Sequence, residues 1–152
     1  MESQTLLSRP QSNLAFVHAV VAIALAVACL AFAPRAYAKS EEVARAPSGV
    51  MYVSGGVGTE AVELLKSMEK DFNLKIVFAN KAGEFLSNVK VSFTDSSGRV
   101  LLDTVTEGPL LMAKLPVGSY HVDTTFDGRL ERQNVAVTAN KLTSVSFQWA
   151  AR

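Results

Sequence analysis

Three patterns in this chain predict a mainly β fold, an antiparallel sandwich of seven short strands preceded by one short helix and an export segment. From Leu74 onward, apolar and polar residues alternate in short runs, the period of strands with one buried face. Turn-forming residues part those runs roughly every eight to twelve positions, the spacing of a sandwich rather than of a parallel sheet with helices between its strands. Near the N-terminus, Leu14 to Ala33 is almost wholly apolar, with His18 as its interruption.

That apolar stretch comes first in the chain and bears on its compartment. Arg9 precedes it; Pro34, Arg35 and the small-x-small sequence Ala36-Tyr37-Ala38 follow. The order fits a secretory signal peptide spanning 1–38, cut between Ala38 and Lys39. An uncleaved anchor is the alternative, because about 20 apolar residues can span a bilayer. Cys29 follows Ala26-Val27-Ala28 in the manner of a lipid-acylated cysteine, but the residues after it, Leu30-Ala31-Phe32, stay apolar, which argues against a cut there.

Removing Arg9, Arg35 and Glu2 with the first 38 residues leaves 13 basic and 13 acidic residues in the remaining 114, a formally neutral chain. Nucleic-acid binding wants a clustered positive face, so nucleic acid is not an expected partner. The chain's single cysteine is Cys29, so the exported part contains no disulfide staple. Its length suits one domain with one core.

Residues 39–58 read as a linker, with a tether from Lys39 to Val50 and a flexible joint at Ser54-Gly55-Gly56-Val57-Gly58. An amphipathic helix over 59–73 follows, with Thr59 as N-cap. Glu60 and Glu63 suit the positive end of its dipole, and Lys66 and Lys70 the negative end. Ala61, Leu64, Leu65, Met68 and Phe72 form its apolar stripe, and Asn73 stops it.

The β-sandwich domain spans 74–150. Lys75-Ile76-Val77-Phe78 is its first strand, and Phe85-Leu86 plugs the gap before the next. Val89, Val91 and Phe93 are the inward residues of the second, and Asp95-Ser96-Ser97-Gly98 turns it. Val100 to Thr106 is the third, with either Leu101 or Leu102 inward. Glu107-Gly108-Pro109 breaks it, and Leu110 to Leu115 is the fourth. Tyr120, Val122, Thr124 and Phe126 alternate along the fifth. Asp127-Gly128 marks a two-residue hairpin, and the sixth returns over Arg129 to Val137 with Val135 and Val137 inward. Val145, Phe147 and Trp149 line the seventh.

Val89-x-Val91, Asp95-x-x-Gly98 and Gly108-x-Leu110-x-Met112-x-x-Leu115-Pro116-x-Gly118-x-Tyr120-x-Val122 together resemble the carboxypeptidase regulatory-like domain. That domain is an Ig-like, transthyretin-like β-sandwich. The match covers about half of the exported part; Leu110 stands where the family often holds an aromatic. Taken whole, the chain is similar to small secreted bacterial proteins that carry one such domain after a helix. The resemblance implies a fold rather than an activity. In its signature turn, Pro116 sets φ, Gly118 is expected to adopt an unusual backbone angle, and Leu115 and Tyr120 enter one core.

Candidate chemistry is sparse. His121 and Asp123 share a strand face and could form a general-base pair with a serine, the basis of a hydrolase reading; a solvated polar face is the other. Metal binding needs three or four converging ligands, and neither a metal nor a cofactor is expected. The hydroxyisourate hydrolases of the transthyretin-like fold carry several histidines and a C-terminal Tyr-Arg-Gly-Ser. This chain ends Gln148-Trp149-Ala150-Ala151-Arg152. The glycine joint before the helix could cradle an anion, although it has no P-loop lysine. Tyr52, Phe85 and Trp149 could stack on sugar rings, and Trp149 also belongs to an inward period. Arg129, Glu131 and Arg132 read as a solvated strand face.

No catalytic set emerges. The expectation is an exported, non-enzymatic module of the periplasm or extracellular space, acting by binding or structural contact on a protein or glycan of the cell envelope. A carbohydrate-binding module is one alternative, and an assembly factor held in the inner membrane by an uncleaved N-terminus is another. In the leading reading, contact with membrane is confined to that N-terminus.

Overall fold

The computed structural model of the chain describes residues 41–150. The expected export segment over 1–38, the Ala38–Lys39 junction and Cys29 lie outside them. Among the described residues, no helix is long and apolar enough to cross a membrane.

Among the described residues, nine strands form two sheets packed as a sandwich. They are β1 (Ala44–Arg45), β2 (Met51–Gly55), β3 (Leu74–Asn80), β4 (Lys90–Asp95), β5 (Val100–Val105), β6 (Leu110–Lys114), β7 (Gly118–Phe126), β8 (Arg129–Val137) and β9 (Thr143–Trp149). One sheet runs β1-β2-β6-β3-β9 and the other β5-β4-β7-β8. All pairings are antiparallel except β3 with β9, which run parallel. The seven expected strands are present. The two additional ones correct the linker reading of 39–58. Tyr52 and Val53 pair with Ala113 and Met112 of β6, so this segment is built into the sheet. A run as short as Met51–Gly55, ending in glycine, has too few residues to show a period.

The turn after β1 also belongs to the core. Ala46 donates its amide to the Val50 carbonyl at 2.8 Å, and both side chains are buried with the sandwich interior. The Ser48 hydroxyl caps the Leu101 carbonyl of β5. This turn therefore closes one side of the sandwich. The opposite side closes where Gln133 of β8 donates to the Ser146 carbonyl of β9 at 2.9 Å.

The main core holds Ile76, Phe78, Val91, Phe93, Leu111, Val122, Val135 and Phe147 between the sheets. Leu101 and Leu102 are both buried. The register shifts so that Phe93 faces Leu102 while Thr94 faces Val100. The extra residue is a β-bulge, which turns two successive side chains inward and defeats simple alternation.

Helix α1 (Thr59–Met68) and a 3-10 turn (Glu69–Asp71) cover the outer face of the five-stranded sheet. Leu65 and Phe72 form a second core there with Val53 and Met112, backed by Met68 and Leu110. Strand β6 is thus buried on both faces, which accounts for its unbroken Leu110-Leu111-Met112-Ala113. The helix is shorter than expected because Phe72 is already extended (φ −119°). Its N-cap is Gly58, not Thr59, and no side chain caps it. Leu64 points away from the sheet and is exposed. A helix lying on a flat sheet buries a narrower stripe than one inside a bundle.

Asn73 lies beyond the end of the helical segment rather than stopping it, and its side chain serves the crossover. Its side-chain Nδ2 donates to the Leu115 carbonyl at 2.7 Å, and its Oδ1 accepts from the Leu115 amide at 2.9 Å. Its own amide donates to Ala113 O and its carbonyl accepts from Thr143. At Leu115 the chain leaves one sheet for the other. The signature turn is then clamped by Tyr120, whose hydroxyl donates to the Pro116 carbonyl at 2.7 Å. Leu115 and Tyr120 enter the same core as expected. Gly118 does not have the expected positive φ, which is found instead at Gly49, Gly56, Gly58, Gly83, Gly98 and Gly128. A Cβ at Gly118 would lie in ordinary contact with the Tyr120 side chain, its nearest atom the hydroxyl at 3.6 Å. Gly108 is needed for space, because a Cβ there would overlap the Gly55 backbone carbonyl.

Replacing Asn73 with alanine would leave the Leu115 amide and carbonyl buried and unpaired. Each such group costs about 1–3 kcal/mol, so a loss of about 2–4 kcal/mol is expected in urea unfolding, against under about 0.5 kcal/mol for Asn134→Ala on the surface. Gly108→Ala should cost about 1–3 kcal/mol by pushing the loop off β2, read as a lower unfolding midpoint with an unchanged m-value.

Candidate functional site

The end of the sandwich opposite the signature turn carries a cleft of about 530 Å³. Four segments build it. Strands β3 and β9 run parallel, so Asn80 and Trp149 finish side by side. The β7–β8 hairpin brings Phe126, Asp127 and Arg129 from the other sheet. The segment after β3 turns back, with the Asn80 amide donating to Glu84 O (2.8 Å) and Leu86 to Phe78 O (3.0 Å). Alternation along this return leg puts Glu84, Leu86 and Asn88 on the cleft. Ala150 completes the lining.

The floor is apolar. Trp149 is buried, and the ring of Phe126, half-buried, lies 5.8 Å from it at 54°. Phe147 and Phe78 continue this aromatic row into the core. The indole Nε1 donates to the Arg129 carbonyl at 3.1 Å, so the tryptophan clasps the last strand of one sheet to the hairpin of the other.

The rim is polar and held. Asn80 Oδ1 accepts from the amides of Ala82 and Glu84, both at 2.9 Å. Its Nδ2 donates to Glu84 Oε2 at 2.5 Å, which fixes one oxygen of that carboxylate. Asn88 and Asp127 are the non-glycine residues with positive φ among those described, at 58° and 51°. Both line the cleft. For Asp127 this is the ordinary requirement of an Asp-Gly hairpin turn; asparagine also tolerates this region better than most residues.

The structure places the residues singled out in the sequence as follows. Trp149 reaches both core and cleft floor. Phe85 does not plug a gap: its neighbours Glu84 and Leu86 face the cleft, and Phe85 is 71% exposed. Tyr52 is half-buried against the main core. Arg129 joins the cleft, while Arg132 pairs with Asp123 through Nε and Nη2 at 2.5 and 2.6 Å. His121 and Asp123 share the outer face of their sheet. The His121 Nδ1 atom lies 2.5 Å from Asn134 Oδ1, and Asp123 is committed to Arg132. Among the described residues no serine hydrogen-bonds to this histidine, so the pair is not assembled as a nucleophile and base. At the glycine joint, the Gly56 amide donates to the Glu41 carboxylate at 3.2 Å; the chain's own anion sits there. Among the described residues, no three His, Cys, Asp or Glu side chains gather as metal ligands.

Asn80, Glu84, Asn88 and Asp127 were not recognisable as site residues. Asn80 ends a strand and the others lie in turns whose composition signals only reversal, and two separate sheets bring them together. The Asp127-Gly128 hairpin was the one usable signal.

Two carboxylates titrate below the usual range. The Ser97 hydroxyl, together with the amides of Ser97 and Arg99, holds Asp95 down. Bidentate pairing with Arg132 does the same for Asp123. The Asp95 bonds close the β4–β5 turn around Gly98, with Oδ1 accepting from both amides at 2.9 and 3.0 Å.

No family model and no curated protein matches the chain. Among solved structures it is similar to BcpA, the major pilin subunit of Bacillus cereus, at 11% identity and a TM-score of 0.39, over 49% of this chain and 28% of that one. It is also similar to the Bacillus anthracis TIE protein, at 18% identity and a TM-score of 0.38, over 52% of this chain and 15% of that one. The chain thus spans well under a third of either protein.

Both carboxylates have folded values below their unfolded ones, so the folded state binds fewer protons. Their contribution is complete above the unfolded aspartate value of about 3.9 and is lost as pH falls through the lowered folded values. These two groups should therefore leave thermal melts unchanged from pH 7 to about 5 and lower them below about pH 4. In Asp95→Asn/Asp123→Asn that acid limb should be shallower; an unchanged limb would show that neither carboxylate contributes.

Proposed function

We propose that the chain is an exported β-sandwich module of the bacterial cell envelope, of carboxypeptidase regulatory-like type, that acts by binding rather than by catalysis. Its ligand enters the cleft at the hairpin end. The cleft is the observation that carries this reading: a hollow with an apolar floor and a polar, preorganised rim is the usual form of a small-ligand site, and its volume falls within the common range.

Other features support it. The Leu115-Pro116 turn and its Tyr120 clamp are engaged internally at the far end of the sandwich. His121 and Asp123 are engaged with Asn134 and Arg132 on an open face. The N-terminal 38 residues carry the pattern of a cleaved export signal.

Fractionation with N-terminal sequencing tests the location: a soluble periplasmic or extracellular chain beginning at Lys39 is expected, and a membrane-bound chain beginning at Met1 would replace export with anchoring. Retention of envelope material on the immobilised chain tests the site. Retention should survive His121→Ala and be lost in Glu84→Lys/Arg129→Glu. Loss with His121→Ala alone would move the site to the outer sheet face.

A further inference from the structure

We propose that the cleft takes a saccharide, as a short neutral segment of a glycan. This inference rests on the reading of the cleft as a binding site and names its ligand class.

Charge excludes the simplest competitors. Two carboxylates, Glu84 and Asp127, line the cleft with one guanidinium, Arg129. A phosphate or carboxylate ligand would have to approach the Glu84 carboxylate on this rim, which disfavours it. An apolar ligand would need to desolvate the same charged groups without replacing their hydrogen bonds, at a cost of several kcal/mol.

A sugar ring suits both parts. Its C–H face can lie on the half-buried Phe126 and Leu86, which cover the buried Trp149 beneath them. Its hydroxyls both donate and accept, and the rim offers both kinds of partner. Carboxylates accept only, the guanidinium donates only, and the amide of Asn88 does both. With one oxygen of Glu84 held by Asn80, the other can accept from a hydroxyl without first losing rotamer freedom. Asp127 rides on a two-residue hairpin, so its position is set by backbone. Preorganised acceptors around an aromatic floor lower the entropy cost of binding a hydrated ligand.

Trp149 is the only tryptophan of the sequence and lies in the cleft floor, so its fluorescence reports occupancy directly. The full chain should be titrated with oligosaccharides of N-acetylglucosamine, of mannose, and of glucose in α-1,4 and β-1,4 linkage, and separately with a pool of short amphipathic peptides. At least one saccharide should change the emission saturably. Glu84→Gln/Asp127→Asn should weaken it about tenfold or more, as loss of charge-assisted hydrogen bonds implies. Asparagine keeps the hairpin turn, and an unchanged urea midpoint confirms that the variant is folded. His121→Ala should bind as the parent does. Peptide binding that the double variant abolishes, with no saccharide response, overturns the sugar assignment and leaves the binding reading standing. No response to either class overturns both. Saccharide binding that the double variant retains in full overturns the assignment to this rim.

Discussion

The side-chain amide of Asn73 occupies the place of a missing strand residue. It pairs with both backbone groups of Leu115, where β6 ends in one sheet and the chain crosses to β7 in the other. Its own backbone reaches β6 and β9 as well. One buried residue thus ties the end of the helical segment, two strands of the first sheet and the crossover to the second. Buried backbone groups must find partners, and at a crossover no strand is available to supply them. Without Asn73 both Leu115 backbone groups would be buried with no partner at the point where the chain passes between sheets.

The two ends of the sandwich are built differently. At the crossover end, polar groups are consumed internally: Asn73 by Leu115, and the Tyr120 hydroxyl by Pro116. At the hairpin end, the aromatic row from Phe78 through Phe147 and Trp149 to Phe126 runs out of the core and forms the floor of an open cleft. Glu84, Asn88, Asp127 and Arg129 stand around it. The aromatic row thus ends at a polar rim. The helix contributes elsewhere, shielding Val53 and Met112 on the outer sheet face.

Much of this architecture was visible in the chain. Alternation located β3 through β9, because a sheet with one face in water writes its burial at a period of two. It failed where burial departs from that rule. Strand β6 is covered on both faces, the bulge turns Leu101 and Leu102 the same way, and β2 is too short to show any period. The Leu115-to-Tyr120 pattern points correctly to two apolar anchors in one core, but Gly118 is not among the glycines with positive φ. The helix was recognised, but its cap and Leu64 were not, since both depend on the surface it lies on.

Residue types and their spacing determined the class of fold, the positions of most strands and the core side chains, because hydrophobic burial is read along a single strand. Only the tertiary structure decided that residues near 54 and 108 touch, that Asn73 completes a crossover, and that Trp149 and the Asp127-Gly128 hairpin share a cleft. Those facts join segments from two sheets and from distant parts of the chain. Local pattern has no means to express them, because the contacts form only after both sheets have stacked.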